Sequence, residues 1–233
     1  MDFGTESIKQ KVRDVTSIII PCKNESDGIA HLIEEVKKYG NEVIIIDGHS
    51  TDGTYEIAKR MGVKVIQDDG HGKGSGIRCG IEHVRNDIIV FIDADGSHAP
   101  EDIPKLVLPI LENKSDMVIG SRMYGGSDEY ELTIDSFIRQ VGSAFITLII
   151  NLRWKTNLSD IENGFRAIKT SVAKKLGLNA EWFDIEQEMV QKCLKKGYRI
   201  VEAPSHEYRR KWGKTKLLTK NGYIFLFRLL RDI

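Results

Sequence analysis

The stretch that most constrains the fold is an apolar run that ends in two carboxylates. Residues 88–92, IIVFI, are typical of a strand that is buried on both faces of a sheet. Asp93 and Asp95 follow directly, although a buried strand has no packing reason to end in two acids. At the carboxyl end of a parallel strand, where α/β sheets bind ligands, such a pair suits a divalent cation. The same two residues could equally cap a turn, so the rest of the chain has to decide.

Strand and helix patterns alternate along the first 120 residues. Short apolar runs that end at Pro, Gly or acidic residues alternate with segments whose apolar residues recur at helical spacing. We predict strands at residues 17–20, 43–46, 63–66, 88–92 and 117–119. This order indicates an α/β fold with a doubly wound, mostly parallel sheet that is flanked by helices.

The second half of the chain has a different pattern. We predict an apolar-rich helix at 138–152, a turn around 164–166, a helix at 182–196 and a last strand at 199–202. No internal repeat and no low-complexity linker divides the chain. We therefore expect a catalytic domain over residues 1–205, followed by a basic loop and an amphipathic C-terminal helix over residues 206–233.

Composition and cysteine spacing favour an intracellular protein. Of the 233 residues, 41% are hydrophobic, which is ample for one core. The three cysteines lie far apart without a CxxC pair, which argues against a disulfide framework or a zinc site. The N-terminal residues lack the apolar core of a signal peptide, and no run reaches the ~18 apolar residues of a membrane span. We expect a cytoplasmic location.

The C-terminal part differs in charge from the rest of the chain. From Lys192 onward there are twelve Lys or Arg residues against three acids, although the whole chain has a net charge of zero. The apolar run at 223–230 follows an already complete domain, so it has little core left to fill. We expect it to lie at the cytoplasmic face of a membrane, with Arg228 and Arg231 at anionic headgroups. The helix at 144–152 could lie there too, or pack into the core.

Two further segments suit a nucleotide diphosphate. Asp47 ends the second strand, where a carboxylate can accept hydrogen bonds from a base or a ribose, and capping does not explain it. The glycine-rich run at 70–76 precedes a helix, a common arrangement for binding anions through backbone N–H groups. It lacks the spacing of a P-loop, and a flexible loop explains it equally well.

Taken together, these segments resemble the family 2 glycosyltransferases of the GT-A fold, in the branch of dolichol- and polyprenyl-phosphate sugar synthases. The resemblance runs from residue 17 to residue 217. Its motifs are IIIPCKNE (18–25), DGHSTDGT (47–54), GKGSGIRCGI (72–81), FIDADGSHAPEDIPKL (91–106), GSR (120–122), GFRAIK (164–169), FDIEQEM (183–189) and RRKWGKTKL (209–217). Eight motifs in this order make the resemblance specific.

The resemblance implies a nucleotide-sugar site. Pro21, Glu25 and Asp47 would line the nucleoside pocket, Asp52 would lie close to it, and Lys73 would lie near the nucleotide. The aromatic residue that the family usually has before its Asn-Glu pair is Lys23 here. The sequence does not distinguish GDP-mannose from UDP-glucose or a UDP-N-acetylhexosamine as the donor.

It also implies a metal site and an acceptor site. Asp93 and Asp95 would hold Mg²⁺ or Mn²⁺, with Ser97 at the position where the family often has Gln. Arg122 and Arg139 would face phosphates near a dolichyl or polyprenyl phosphate acceptor. Phosphates would also be covered by a basic loop that contains Arg209, Arg210, Lys214 and Lys216. Catalytic roles would fall to Asp95, Arg122, Arg139 and Arg210.

Elementary chemistry separates a lipid-phosphate acceptor from a hydroxyl acceptor. A phosphate monoester is largely ionised at neutral pH, since its second pKa is about 6, and needs cations rather than a base. A hydroxyl acceptor needs a general base, for which Glu186 and Glu188 are the candidates. The rival functions are such a hydroxyl-directed glycosyltransferase, a DxDxS phosphatase and a non-enzymatic nucleotide-sugar-binding subunit. We expect a membrane surface as a partner, possible action beside a membrane-spanning subunit, and no nucleic acid.

Overall fold

The computed structural model describes residues 3–128, 134–213 and 222–233. Its seven strands are β1 (Thr16–Cys22), β2 (Glu42–Asp47), β3 (Lys64–Gln67), β4 (Ile88–Phe91), β5 (Met117–Ser121), β6 (Arg166–Lys169) and β7 (Ile200–Pro204). Its helices are α1 (Phe3–Val15), α2 (Ile29–Val36), α3 (Thr54–Arg60), α4 (Lys73–His83), α5 (Ile103–Leu111), α6 (Arg122–Gly125), α7 (Ile134–Trp154), α8 (Thr170–Ala173), α9 (Ile185–Lys195) and α10 (Tyr223–Asp232).

The strands form one seven-stranded sheet in the order β3-β2-β1-β4-β6-β5-β7. Strands β1 to β4 pair in parallel, as do β5 and β7, whereas β6 runs antiparallel to both of its neighbours. The prediction of an α/β fold with a mostly parallel sheet is therefore confirmed. Because β1, β2 and β4 are parallel, their carboxyl ends lie along one edge, which brings Cys22, Asp47 and the Asp93-Ala94-Asp95 segment together.

The predicted turn at 164–166 is wrong in one respect, because Arg166 begins β6 in the middle of the sheet. The Arg166 side chain is 1% exposed, and its guanidinium donates hydrogen bonds to the backbone oxygens of Ile161, Asn163 and Glu186. A strand of four residues with an arginine and a lysine at its ends gives little periodic signal. Burial of the guanidinium depends on carbonyl groups that the fold alone brings together.

Apolar side chains pack on both faces of the sheet. Alternate residues of β1 point to opposite faces, so Ile18 and Ile20 pack with α2 and α5, whereas Ile19 packs with α4 and α9. Phe225 and Leu229 of helix α10 pack on the same face of the sheet as Ile19. The expectation that the C-terminal run has little core left to fill is therefore wrong.

Arg228 is also placed differently from the sequence expectation, since it is only 5% exposed. Its guanidinium contacts the carboxylates of Asp184 at 2.7 Å, Glu188 at 3.1 Å and Asp232 at 3.2 Å. Arg228 therefore fixes α10 to α9 and does not face headgroups, whereas Arg231 is exposed. In the described part of the chain, no helix combines the length and the apolar composition needed to cross a bilayer.

Candidate active site

A cavity of about 620 Å³ opens at the carboxyl edge of the sheet. It extends from the end of β1, past the Asp93-Ala94-Asp95 segment that follows β4, to α7 and α9. Several predicted site residues line it: Pro21, Glu25, Lys73, Asp93, Asp95, Arg122, Arg139 and Arg210. The structure therefore brings together residues that are far apart in the sequence.

The acidic pair is held between two cations. The ammonium of Lys73 lies 2.7 Å from Asp93 Oδ1, and the guanidinium of Arg210 lies 2.9 Å from Asp95 Oδ2. Burial would raise the pKa of Asp93, but the charge of Lys73, assisted by His98 and Arg210, lowers it below its ordinary value. Asp93 is therefore held in its ionised form at the cavity, and Asp95 is paired with a guanidinium.

Asp95 caps a turn with one carboxylate oxygen and pairs with a cation through the other. Its Oδ1 accepts hydrogen bonds from the backbone N–H of Ser97 at 2.9 Å and from the Ser97 hydroxyl at 2.7 Å. Its Oδ2 points to Arg210. Ser97 is 4% exposed, so its hydroxyl acts here as a fixed donor to Asp95.

Lys73, the first residue of α4, also contacts Glu186 at 2.9 Å. Burial lowers the pKa of Lys73, but Asp93 and Glu186 outweigh that effect and raise it above its ordinary value. The neighbouring glycines have a packing reason, since a Cβ on Gly74 would lie 2.5 Å from the carbonyl oxygen of Ala180. The glycine-rich run thus lets α4 approach the segment before α9, which directs Lys73 to Asp93.

On the opposite side of the acidic pair, Pro21 and Glu25 line the cavity. Asp47 lies behind them and is fully buried. One of its oxygens accepts hydrogen bonds from the Ser50 N–H at 3.1 Å and from Gln67 at 3.4 Å. Asp47 was predicted to line the nucleoside pocket, but only its neighbours Ile46 and Gly48 line the cavity, and its own carboxylate is used to hold the loop after β2.

Asp52 holds the two loops of this region together. It accepts hydrogen bonds from the backbone N–H groups of Ser26 and Thr54, both at 3.0 Å. Burial opposes ionisation, but the hydrogen bonds from Thr54 and Ser26 lower the pKa of Asp52 to about 2. Its visible role is to join the loop after β1 to the start of α3.

The arginines Arg122 and Arg139 lie at the other end of the cavity. Asp160 holds Arg122 in a bidentate pair, with contacts of 2.6 and 2.7 Å, and Glu207 lies 3.4 Å from the same guanidinium. Arg139 is exposed on α7 and lines the cavity. Arg122 is thus fixed in direction, whereas Arg139 lies at the solvent side of the cavity.

Residues 206–213, which we call the basic strap, cross over the acidic pair. The backbone N–H of Tyr208 donates to the Ser97 carbonyl at 2.8 Å, and that of Lys211 donates to the Asp95 carbonyl at 3.0 Å. Arg209 reaches the Asp128 carbonyl at 3.4 Å and does not contact the acidic pair. Lys214 and Lys216 lie outside the described residues.

Trp212 fixes the end of the strap, a role that the sequence did not suggest. Its indole N–H donates to the Ala94 carbonyl at 2.5 Å. Its ring fills the space beside two glycines, where a Cβ on Gly28 would lie 1.8 Å from the ring and a Cβ on Gly96 2.7 Å. The only available signal was the position of this tryptophan inside the RRKWGKTKL motif.

Glu162 is a second residue that sequence reasoning missed. It lines the cavity two residues after Asp160, in the segment that was predicted only as a turn. Burial raises the pKa of Glu162 to about 6, although a hydrogen bond with Ser143 lowers it. A carboxyl group in a cavity with a raised pKa is a candidate for a functional role.

The acidic pair suits a metal that takes few protein ligands. Among the described residues, no group of three or more His, Cys, Asp or Glu side chains is placed to hold a metal ion. Mg²⁺ is commonly bound by one or two carboxylates together with phosphate oxygens and water. Asp93 and Asp95 fit that pattern because both carboxylates line the cavity.

A mostly parallel sheet with an acidic pair after its fourth strand, beside a cavity lined by several cations, agrees with the class of GT-A glycosyltransferases. The glycosyl transferase family 2 model matches residues 17–177. The chain belongs to this family, and it is a glycosyltransferase.

Known proteins support this placement. An uncharacterised protein of Methanocaldococcus jannaschii is 31% identical over 99% of this chain and 97% of its own. The UDP-N-acetylglucosamine–dolichyl-phosphate N-acetylglucosaminyltransferase of Methanococcus voltae is 27% identical over 91% of this chain and 94% of its own. The crystal structure of glucosyl-3-phosphoglycerate synthase from Mycobacterium tuberculosis, with Mn²⁺, UDP and phosphoglyceric acid, is 19% identical. It superposes with a TM-score of 0.75 over 97% of this chain and 80% of its own, which supports the GT-A fold.

Proposed function

We propose that the protein transfers a hexose from a nucleotide sugar to a dolichyl or polyprenyl phosphate, with inversion at the anomeric carbon and dependence on Mg²⁺ or Mn²⁺. The observation that carries this proposal is the charge pattern of one cavity. Besides the acidic pair Asp93 and Asp95 and several glutamates, it is lined by five cations: Lys23, Lys73, Arg122, Arg139 and Arg210. Such a site can hold two phosphate-bearing substrates against their mutual repulsion.

At the donor end, the chain supplies charge and shape for a nucleoside diphosphate. A divalent cation on Asp93 and Asp95 would neutralise the charge that develops on the leaving diphosphate. Lys73 and Arg210 add positive charge beside the same carboxylates. The part of the cavity near Pro21 and Glu25 is left for the nucleoside.

The two glutamates that the sequence offered as a general base are both held by cations. The first candidate base, Glu186, is paired with Lys73 at 2.9 Å. The second, Glu188, is fully buried and contacts both Lys192 at 2.7 Å and Arg228 at 3.1 Å. Because a phosphate monoester is already ionised near neutral pH, it reacts without such a base and needs only cations such as Arg139.

The comparisons agree with parts of this proposal. The relative from Methanococcus voltae is named for a dolichyl-phosphate acceptor and a UDP-sugar donor. The solved neighbour from Mycobacterium tuberculosis was crystallised with Mn²⁺ or Mg²⁺ and UDP. For this chain the choice between GDP-mannose and the UDP-sugars stays open.

Exposed apolar faces next to the cavity support peripheral membrane binding. Six side chains on one side of α7 are each at least half exposed: Phe137, Ile138, Val141, Phe145, Leu148 and Leu152. On α10, Tyr223, Phe227 and Leu230 are each more than two thirds exposed. The same two helices supply Arg139 and Phe225 to the cavity lining. A membrane on this side would place a lipid phosphate at the mouth of the cavity.

One experiment tests the proposal. The protein is incubated with Mn²⁺, a short polyprenyl phosphate and one labelled donor at a time, namely GDP-mannose, UDP-glucose or UDP-N-acetylglucosamine. We expect an acid-labile lipid-linked sugar from one donor, and loss of product with Asp95→Asn. Nucleotide binding without a lipid-linked product from any donor would refute the proposed acceptor.

A further inference from the structure

The segment from Asp160 to Gly164 runs along the cavity between its two charged ends. Asp160 holds Arg122, and a Cβ on Gly164 would lie 2.8 Å from Asp93 Oδ2 and 3.0 Å from Lys73 Nζ. Glu162 lies two residues from each of them, so its Cα is at most about 7 Å from the Cα atoms of Asp160 and Gly164. It therefore lines the part of the cavity that separates the acidic pair from the acceptor-side arginine.

Glu162 differs from other carboxylates of the cavity in its described partner. Four of those carboxylates lie within 4 Å of a cation: Asp93 and Glu186 with Lys73, Asp95 with Arg210, and Glu207 with Arg122. Among the described residues Glu162 has no ion pair within 4 Å; burial raises its pKa, whereas the Ser143 hydroxyl and, more weakly, the charge of Arg122 lower it. A carboxylate next to a hydroxyl group can accept a hydrogen bond from a neutral donor, and sugars carry donors of this kind.

The position of Glu162 also excludes the charged parts of a nucleotide sugar. A diphosphate would be repelled by a carboxylate, and its place is beside Lys73 and the acidic pair. The nucleoside belongs farther away, near Pro21 and Glu25. The sugar is the part of the donor that must lie between the diphosphate and the acceptor.

We propose that the carboxylate of Glu162 accepts a hydrogen bond from a hydroxyl group of the donor's sugar and thereby selects among nucleotide sugars. This inference rests on the proposed function for its substrate class. It assigns Glu162 to binding the sugar and not to the chemical step. The raised pKa is consistent with this assignment, since burial of the carboxyl group disfavours its charge until a donor is provided.

The test compares each nucleotide sugar with its own nucleoside diphosphate. Titration calorimetry with Mn²⁺ present gives affinities for UDP, GDP and the three nucleotide sugars, on wild type, Glu162→Gln and Ser143→Ala. We expect Glu162→Gln to weaken the binding of the preferred nucleotide sugar about tenfold, the loss of one charge-assisted hydrogen bond. Its affinity for the nucleoside diphosphate should equal that of wild type, which also shows that the variant is folded. Ser143→Ala keeps the carboxylate and should keep both affinities.

Deoxy analogues of the preferred donor identify the hydroxyl group. The analogue that lacks the partner of Glu162 should bind wild type about tenfold less tightly and should bind Glu162→Gln no less tightly than the parent donor. Equal affinities of wild type and Glu162→Gln for the nucleotide sugar would overturn the inference. So would equal losses for the sugar and the diphosphate. Normal donor binding with abolished transfer would instead make Glu162 a base and favour a hydroxyl acceptor.

Failure of the proposed function is a separate result. If no lipid-linked product forms but Glu162→Gln weakens only sugar binding, the acceptor assignment fails and the role of Glu162 stands. If wild type binds none of the nucleotide sugars, both are refuted.

Discussion

The close contact between Gly28 and Trp212 predicts that one methyl group opens the basic strap. A Cβ on Gly28 would lie 1.8 Å from the indole ring, so alanine cannot coexist with Trp212 in its present place. The backbone of Gly28, at φ −124° and ψ −18°, is accessible to alanine, so Gly28→Ala adds no backbone strain. The change therefore acts on the strap and spares the core.

The size of the effect follows from what Trp212 loses. Its indole N–H gives up the hydrogen bond to Ala94, a contribution of about 1 kcal/mol. The ring is partly buried, and exposing roughly 100 Å² of it costs about 2.5 kcal/mol at ~25 cal/mol per Å². The sum, about 3.5 kcal/mol, is an upper bound, and because the open strap retains part of this burial we expect a loss of about 2–3 kcal/mol. The ratio of open to closed strap rises up to about a hundredfold.

Trypsin measures this ratio, because the strap contains Arg209, Arg210 and Lys211 in succession. The initial rate of cleavage after these residues should rise in Gly28→Ala in proportion to the open population. Gly142→Ala is the matched control, since a Cβ there meets no atom within 4 Å. In a Trp212→Ala background, Gly28→Ala should have no further effect. Wild-type cleavage rates in Gly28→Ala, or full additivity of the two changes, would refute the role of Trp212.

Three further predictions concern buried or catalytic charges. Burial raises the pKa of Glu162 from 4.5 to about 6, so its ionisation destabilises the folded state as the pH rises through that window. In urea unfolding, Glu162→Gln should therefore be more stable than wild type by about 2 kcal/mol at pH 8 and equally stable at pH 4; an equal difference at both pH values would exclude this cause. Arg228→Met leaves three carboxylates facing one another and should lower the free energy of unfolding by about 3–5 kcal/mol. The exposed Arg231→Met should change it by less than about 0.5 kcal/mol, and equal losses in the two variants would contradict the buried ion cluster. Asp95→Asn should lower metal-dependent turnover at least about a hundredfold; retained turnover would exclude Asp95 from the chemical step.

The sequence was sufficient for the parts of the fold that depend on periodicity. Apolar runs and helical spacing predicted β1 to β5 and most of the helices, because burial on a sheet or along one helix face leaves a regular pattern. It was insufficient for β6, where the buried Arg166 breaks that pattern and is satisfied by carbonyl groups from distant segments. Buried polar networks are the features that a linear pattern does not encode.

In the candidate site, too, regular sequence patterns could be predicted and contacts between distant segments could not. Carboxylates at strand ends could be located because the parallel sheet brings those ends to one edge, and Asp93 and Asp95 lie there. The partners of these carboxylates could not be predicted, since the pair of Lys73 with Glu186 joins residues 113 positions apart in sequence. The packing reason for Gly74 could not be predicted either, since a Cβ there would meet the backbone of Ala180, a residue far away in the sequence.

Arg228 shows why an apolar helix with basic residues cannot be assigned to a membrane from its sequence alone. Such a helix suits both the protein core and a membrane surface. Which of the two it occupies depends on whether its anionic partners lie within the fold or outside it. Asp184 and Glu188 flank Glu186 in sequence, and Glu186 contacts Lys73, which contacts Asp93. The buried face of α10 is therefore connected through α9 to the acidic pair, while its other face remains apolar and exposed. An exposed apolar face and a buried arginine that fixes α10 to α9 thus belong to one helix.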